Sequence, residues 1–201
     1  TRATLAVGAG PRSVAAVKLG ASNCLDLVTA NATAGTLTIL PCDAAHPGQF
    51  LAPTTVTACA GARSLAVADF DPVSTPDVAV ACDEGIAVYR GPGDGTLVGG
   101  AMFDAGGAPR SISAADVDGD GWVDLLASVP FTGGVSVLHG ASNLGFSPPR
   151  VYPVGGEALA TVTANLFGHT DGRNDVCAAV GNPAGAFLGA GAVVMESGCL
   201  P

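Results

Sequence analysis

The chain has 201 residues, with 8 Lys and Arg against 17 Asp and Glu, and a formal charge of −9. That balance excludes a nucleic-acid binder, which needs a basic face for phosphate, and no run of 18 apolar residues offers a membrane-spanning helix. Only 12% of residues are charged, while Gly (29) and Pro (14) are abundant, so the composition points to a turn-rich, acidic, secreted chain suited to holding cations. With Thr1 in first place, the chain reads as a mature form after signal removal or as a cut fragment.

In chain order, Thr1 to Gly10 reads as a strand followed by a turn. A marker then begins a repeat: Gly10-Pro11-Arg12-Ser13 returns as Gly61-Ala62-Arg63-Ser64 and Ala108-Pro109-Arg110-Ser111, with a worn copy at Glu157-Ala158-Leu159-Ala160. A second marker is an aspartate followed by an apolar run, at Asp26, Asp77, Asp124 and Asp175, with intervals of 51, 47 and 51 residues. Two independent markers with one period give four units of about 50 residues, at 11–60, 61–107, 108–155 and 156–201. The third unit shows the internal pattern best: strands at Ser111 to Ala115, Asp124 to Ser128, Val135 to Leu138 and Arg150 to Val154, separated by Gly/Pro turns. The fourth has its third strand at Gly191 to Met195. Four short strands per unit predict an all-β, β-propeller-like fold of four blades, each a four-stranded antiparallel sheet. Two β-sandwiches would not give four equivalent units.

The densest chemistry is Asp116-Val-Asp118-Gly-Asp120-Gly-Trp122-Val-Asp124. Carboxylates this close repel one another unless a cation neutralises them, and hard oxygen donors at this spacing suit Ca2+. Asp116, Asp118, Asp120 and Asp124 are expected to supply side-chain oxygens, and Trp122 its carbonyl. An EF-hand is excluded, because Ala127 stands where its bidentate Glu is required and strands rather than helices flank the loop.

Six cysteines (Cys24, Cys42, Cys59, Cys82, Cys177, Cys199) form no CxxC pair, so they read as disulfide candidates rather than a zinc site. Their connectivity is open among 15 pairings. Cys42 with Cys59, flanking one hairpin, and Cys177 with Cys199 are the preferred pairs.

The blocks PRSISAADVDGDGWVDLLAS and ARSLAVADFDPVSTPDVAVA resemble the FG-GAP or VCBS repeats of integrin-α-like β-propellers. The resemblance implies a calcium loop between the first two strands of each blade, which carries over to Asp116, Asp118, Asp120, Trp122 and Asp124. The other units depart from it. The second keeps Asp69, Asp71 and Asp77 but has Val73 and Pro72 within the loop, so its site is weak. The first has Lys18, Gly20, Ser22 and Asp26 at the matching positions. There a lysine ammonium replaces the ion, and Cys24, at the place of Trp122, offers a disulfide brace. The fourth offers Asn165, Asp171 and Asp175 in a longer loop, again as a weak site.

Residues 1–10 are expected to supply the closing strand of the last blade, within one chain or between chains as an eight-bladed dimer or a strand-exchanged filament. No GxSxG, HExxH or Walker sequence is present, and nothing singles out His46, His139 or His169 as catalytic. Arg12, Arg63 and Arg110 recur at equivalent places, either tying down a neighbouring carbonyl or carboxylate or forming a ring that faces an anionic ligand. Trp122 is equally a sugar-stacking platform or a cover for the core. Taken together, these features predict a secreted, calcium-binding, non-enzymatic module for protein–protein interaction or self-assembly. The alternative is a carbohydrate-binding, lectin-like propeller.

Overall fold

The apolar runs that follow the repeated aspartates are the second strands of four antiparallel sheets. The computed structural model describes residues 4–71, 73, 75–164, 174–181 and 191–195. The first sheet is β1 (Pro11–Val17), β2 (Asp26–Asn31), β3 (Thr36–Leu40) and β4 (Thr54–Thr57). The second is β5 (Ser64–Ala68), β6 (Asp77–Ala81), β7 (Ile86–Arg90) and β8 (Val98–Phe103). The third holds β9 (Ser111–Ala115), β10 (Asp124–Val129) and β11 (Gly134–Leu138). A small hairpin follows, β12 (Gly140–Ala141) with β13 (Gly145–Phe146), before β14 (Arg150–Pro153) returns to pair with β11. The fourth, among the described residues, is β15 (Glu157–Ala164), β16 (Asp175–Gly181) and β17 (Gly191–Met195).

Each sheet is a blade, and the blades stack in chain order through their first strands, with β1 beside β5, β5 beside β9 and β9 beside β15. Side chains alternate between the two faces of a strand. From β2, Val28 and Ala30 face the second blade, where they meet Val78 and Val80. Ala79 and Ala81 of β6 face the third blade and meet Leu125, Ala127 and Val129. Leu126 of β10 meets Val176 and Ala178 of the fourth. The core is therefore three layers between blades, and β6 and β10 are buried on both sides. Leu125, Leu126 and Leu138 are fully buried, each stabilising the fold by about 1.5–3 kcal/mol relative to exposure. The serine of the repeated Arg-Ser pair adds a polar link. The N–H of Leu65 donates to Ser13 Oγ, and that of Ile112 to Ser64 Oγ, both at 3.2 Å.

The two ends of this stack differ. On the face of the first blade that has no preceding blade, Thr29, Asn31 and Thr38 are buried. Asn31 Nδ2 donates to Thr38 Oγ1 at 2.9 Å and to Thr36 Oγ1 at 3.2 Å. Residues 8–10 lie against this polar face. The N–H of Gly8 donates to Thr38 Oγ1, the carbonyls of Ala9 and Gly10 accept from Ala34 and Ala32, and a Cβ on Gly8 would come within 2.7 Å of Asn31. The fourth blade instead turns Ala160, Val162, Cys177 and Ala179 outward on one face, with Val162 58% exposed.

Two expectations are corrected here. Residues 4–10 form no strand and do not pair with the last blade, and the sheets are not closed into a ring. Their hydrogen bonds go instead to the first blade, whose buried polar groups need partners. Cys42 does not pair with Cys59. The bonds are Cys24–Cys42, with Cα atoms 6.0 Å apart, and Cys59–Cys82, at 5.9 Å. Antiparallel register explains this. Thr36 pairs with Thr57 at one end of the β3–β4 hairpin, and Cys42 bridges Phe50 at the other. Cys42 and Cys59 are thus separated by the length of the hairpin, about 3.3 Å per residue, well beyond the reach of a disulfide. Cys24–Cys42 closes the loop of the first blade, and Cys59–Cys82 ties the first blade to the second. Cys177 is bonded to no described cysteine, and Cys199 lies outside the described residues.

The repeated aspartates hold each blade together. Asp26, 4% exposed, accepts the N–H of Leu19 on Oδ2 at 3.1 Å and that of Cys42 on Oδ1 at 2.8 Å. Asp77 does the same for Phe70 and Gly91, at 3.0 and 2.9 Å. Asp124 does it for Val117 and Gly140, at 2.9 and 2.8 Å. Each carboxylate clamps the start of its loop to the end of its third strand. The first loop has Lys18 and Gly20 where the third has Asp116 and Asp118, so this clamp works without a metal site. Asp26→Ala is expected to cost about 2–4 kcal/mol by leaving two buried donors unpaired. The loss, read from the denaturant midpoint, is expected to be the same in excess calcium and in chelator.

Candidate functional site

The loop of the third blade runs from β9 to β10, and its glycines permit the fold-back, with φ of 81° at Gly119 and 90° at Gly121. Asp116 Oδ1 accepts from the N–H of Gly119 at 2.7 Å and its Oδ2 from Gly121 at 3.0 Å. Asp118 Oδ1 accepts from Asp120 at 3.1 Å, and Asp120 Oδ1 from Trp122 at 2.8 Å. These bonds draw the carboxylates inward. One oxygen from each of Asp116, Asp118 and Asp120 lies within 4.8 Å of the others. Such a set of oxygen donors fits a hard divalent cation, with Asp116, Asp118 and Asp120 as its side-chain ligands. Asp124 lies beside them, but both of its oxygens already serve the backbone clamp. Trp122 is half-buried on the loop. The loop is braced from the fourth blade, where the N–H and side-chain amide of Asn174 both donate to the Asp116 carbonyl, at 3.0 and 3.2 Å.

His139, which the sequence reading set aside, belongs to this site. Its Nδ1 lies 3.0 Å from Asp118 Oδ2 and 3.6 Å from Asp124 Oδ1. It comes from the end of β11, next to Gly140, whose N–H holds Asp124. The second blade has the same arrangement with a permanent cation. Arg90, next to Gly91, places Nε 2.9 Å from Oδ2 of the buried Asp71. Neither contact is aligned as a hydrogen bond, and the one made by Arg90 is a charge pairing. Asp69, Asp71 and Asp77 do converge within 4.8 Å, but the Arg90 guanidinium already occupies their field. In the first blade the matching clip is the Cys24–Cys42 disulfide, and Lys18 is exposed. Of the weak fourth site, Asn165 and Asp171 lie outside the described residues. Asp175 is fully buried at the start of β16. A sequence signal for His139 and Arg90 exists: both stand just before the glycine that caps the repeated aspartate.

Burial pushes the Asp124 carboxyl up to about 6 from an ordinary 3.8, against the pull of the Val117 and Gly140 N–H groups and of His139. Burial raises Asp77 in the same way. A raised folded-state pKa means that the folded protein holds the proton more tightly. The contribution of Asp124 to stability is therefore present at low pH and lost as pH rises from about 4 to about 6. In metal-free protein, the denaturant midpoint is expected to fall across that window in the parent chain and to fall less in Asp124→Asn.

No curated protein matches the chain in sequence. Residues 74–127 match the FG-GAP-like repeat, a span from the loop of the second blade into β10. The fold is similar to that of an Agrocybe aegerita lectin that specifically recognises non-reducing terminal N-acetylglucosamine, with a TM-score of 0.60 and 16% identity over 91% of this chain and 52% of that one. It is also similar to the V. cholerae biofilm matrix protein Bap1, with a TM-score of 0.58 and 19% identity over 94% of this chain and 26% of that one. A third similar structure is BBS1N in complex with ARL6DN, with a TM-score of 0.54 and 17% identity over 88% of this chain and 50% of that one. The chain thus spans about half the length of the lectin and of BBS1N, and about a quarter of Bap1. Residues 74–127 are an FG-GAP-like repeat, and the four sheets are consecutive blades of a β-propeller-like fold.

Proposed function

We propose that the chain is a non-enzymatic, calcium-binding interaction module of the secreted type, and that it associates with a second copy of itself through its fourth blade. The observation that carries this reading is the difference between the two end faces. In the first three blades, the face that turns Val28, Ala79 and Leu126 forward is buried by the next blade. In the fourth, the corresponding Ala160, Val162, Cys177 and Ala179 meet no further blade among the described residues, and Val162 is 58% exposed. The end face of the first blade is mixed, with Val14 62% exposed beside the buried Thr29, Asn31 and Thr38 that residues 8–10 lie against, so it matches the apolar fourth-blade face less well in a head-to-tail contact. Fourth blade against fourth blade, about a two-fold axis, buries the apolar face on both copies at once. The two disulfides support an extracellular setting. The described histidines have local partners, His46 with Asp43 in an exposed turn and His139 with the acidic loop, which supports a non-enzymatic role.

Calcium in this reading is a structural clip, held by Asp116, Asp118 and Asp120. Its charge offsets the mutual repulsion of the carboxylates. Extracellular sites of this kind bind at roughly 10⁻⁴ to 10⁻³ M and stabilise by mass action. Carbohydrate binding is the second reading. It is favoured by the likeness in fold to the Agrocybe aegerita lectin and by an arginine-lined pocket at the first strands of the blades.

Multi-angle scattering tests the assembly. A mass of twice the 19.5 kDa chain, reduced to a single chain by Val162→Glu, is expected. A strictly single-chain mass at high concentration overturns self-association. Calcium at millimolar concentration is expected to raise the melting temperature of the parent chain and of Asp71→Asn, but not of Asp118→Asn with Asp120→Asn. An unchanged melting temperature after dialysis against chelator would remove calcium from the proposal.

A further inference from the structure

Three of the eight basic residues in this acidic chain meet in one place. Arg12, Arg63 and Arg110, one from each of the first three blades, line a cavity of about 550 Å³ together with Glu157, Pro130 and Phe131. The repeat brings them there, since each arginine precedes a serine at or near the start of the inner strand. A β-bulge between Pro11 and Ser13 aims Arg12. The three arginines are not equivalent. Arg63 Nε donates to the Gly61 carbonyl at 2.9 Å, and its guanidinium pairs with Asp83. Arg12, Arg110 and Glu157 have no ion-pair partner among the described residues. Two unpaired cations and one unpaired carboxylate leave the cavity one positive charge in excess.

We infer that this cavity binds the carboxylate of an acidic sugar, a uronic acid, between Arg12 and Arg110. A planar carboxylate matches guanidinium donors in charge and shape. Glu157 accepts hydrogen bonds from the sugar hydroxyls, which bare sulfate or phosphate cannot offer. Phe131, 91% exposed at the rim, gives its ring to the apolar face of the sugar. The volume is in the range of pockets for small ligands. The inference does not depend on the self-association proposed above, and its test is separate from both the scattering and the calcium measurements.

Isothermal titration of the full chain with sodium glucuronate, in chelator and in calcium, reads the site directly. Glucuronate is expected to bind, glucose not to bind at the same concentration, and sulfate to bind more weakly than glucuronate. Arg12→Gln or Arg110→Gln is expected to weaken glucuronate by about tenfold or more. Lys18→Gln, which removes one exposed positive charge elsewhere, is expected to leave it unchanged. Melting curves establish that each variant is folded. Equal binding of glucose, equal or tighter binding of sulfate, or no loss in either arginine variant overturns the inference, as does absence of glucuronate binding at millimolar concentration. Tighter binding of N-acetyl-diglycine than of glucuronate reassigns the cavity to peptide carboxylates.

Discussion

The structure depends on one buried carboxylate that recurs from blade to blade. Asp26, Asp77 and Asp124 each take two backbone N–H groups that no strand ladder satisfies, one at the loop entrance and one past the third strand. Burying a carboxylate is costly unless its lone pairs are filled, and the raised pKa of Asp77 and Asp124 is the trace of that cost. Fixed donors offset it, and the return is geometric. The clamp sets the loop, which sets the direction of the second strand, whose two apolar faces make the layers between blades. A side chain without two acceptor oxygens cannot hold both ends.

Given that clamp, the loop above it still has to be held, and the blades do this with different chemistry. A disulfide from Cys24 to Cys42 holds the first loop. Arg90 lying over Asp71 holds the second. The third gathers Asp116, Asp118 and Asp120 and, among the described residues, sets the His139 ring against Asp118. A covalent bond and a guanidinium thus solve one mechanical problem in the first two repeats, and the calcium proposed above would solve it in the third.

Much of this was legible in the sequence. The spacing of Arg-Ser and of Asp followed by an apolar run marked four units, and the alternation within the third unit placed β9, β10, β11 and β14 to within a residue. The acidic loop and the brace at Cys24 also followed from aligned positions. The role of Asp124 was only half visible. Its place at the end of an acidic run reads as a ligand, yet Asp26 keeps that place in a loop without the other carboxylates, which already marks the aspartate as part of the frame. The cysteine pairing failed because nearness along a hairpin was taken for nearness in space, whereas register puts Cys42 and Cys59 at opposite ends. His139 and Arg90 were missed because they lie 15 and 13 residues beyond their blade's aspartate, and the glycine that follows each is a signal only once its bond to that aspartate is known.

The part of the expected closing strand that is described, residues 4–10, forms no strand for a different reason, which is informative. The pattern of that segment suits a strand, but a strand needs an edge with open donors and acceptors. The first blade supplies a stronger demand: Thr29, Asn31 and Thr38 are buried where the second blade has apolar side chains, and their polar atoms need partners. Gly8 fits because it has no side chain to hold it off Asn31. With residues 8–10 on that face, the first end is partly polar, Val14 remaining 62% exposed beside Thr29, and the described fourth blade is apolar at the other. A repeat array with unlike ends has a direction. The self-association proposed above uses the side of Val162. The basic cavity is lined by none of the outward side chains of the fourth blade, so the proposed assembly and the proposed ligand site are open to separate tests.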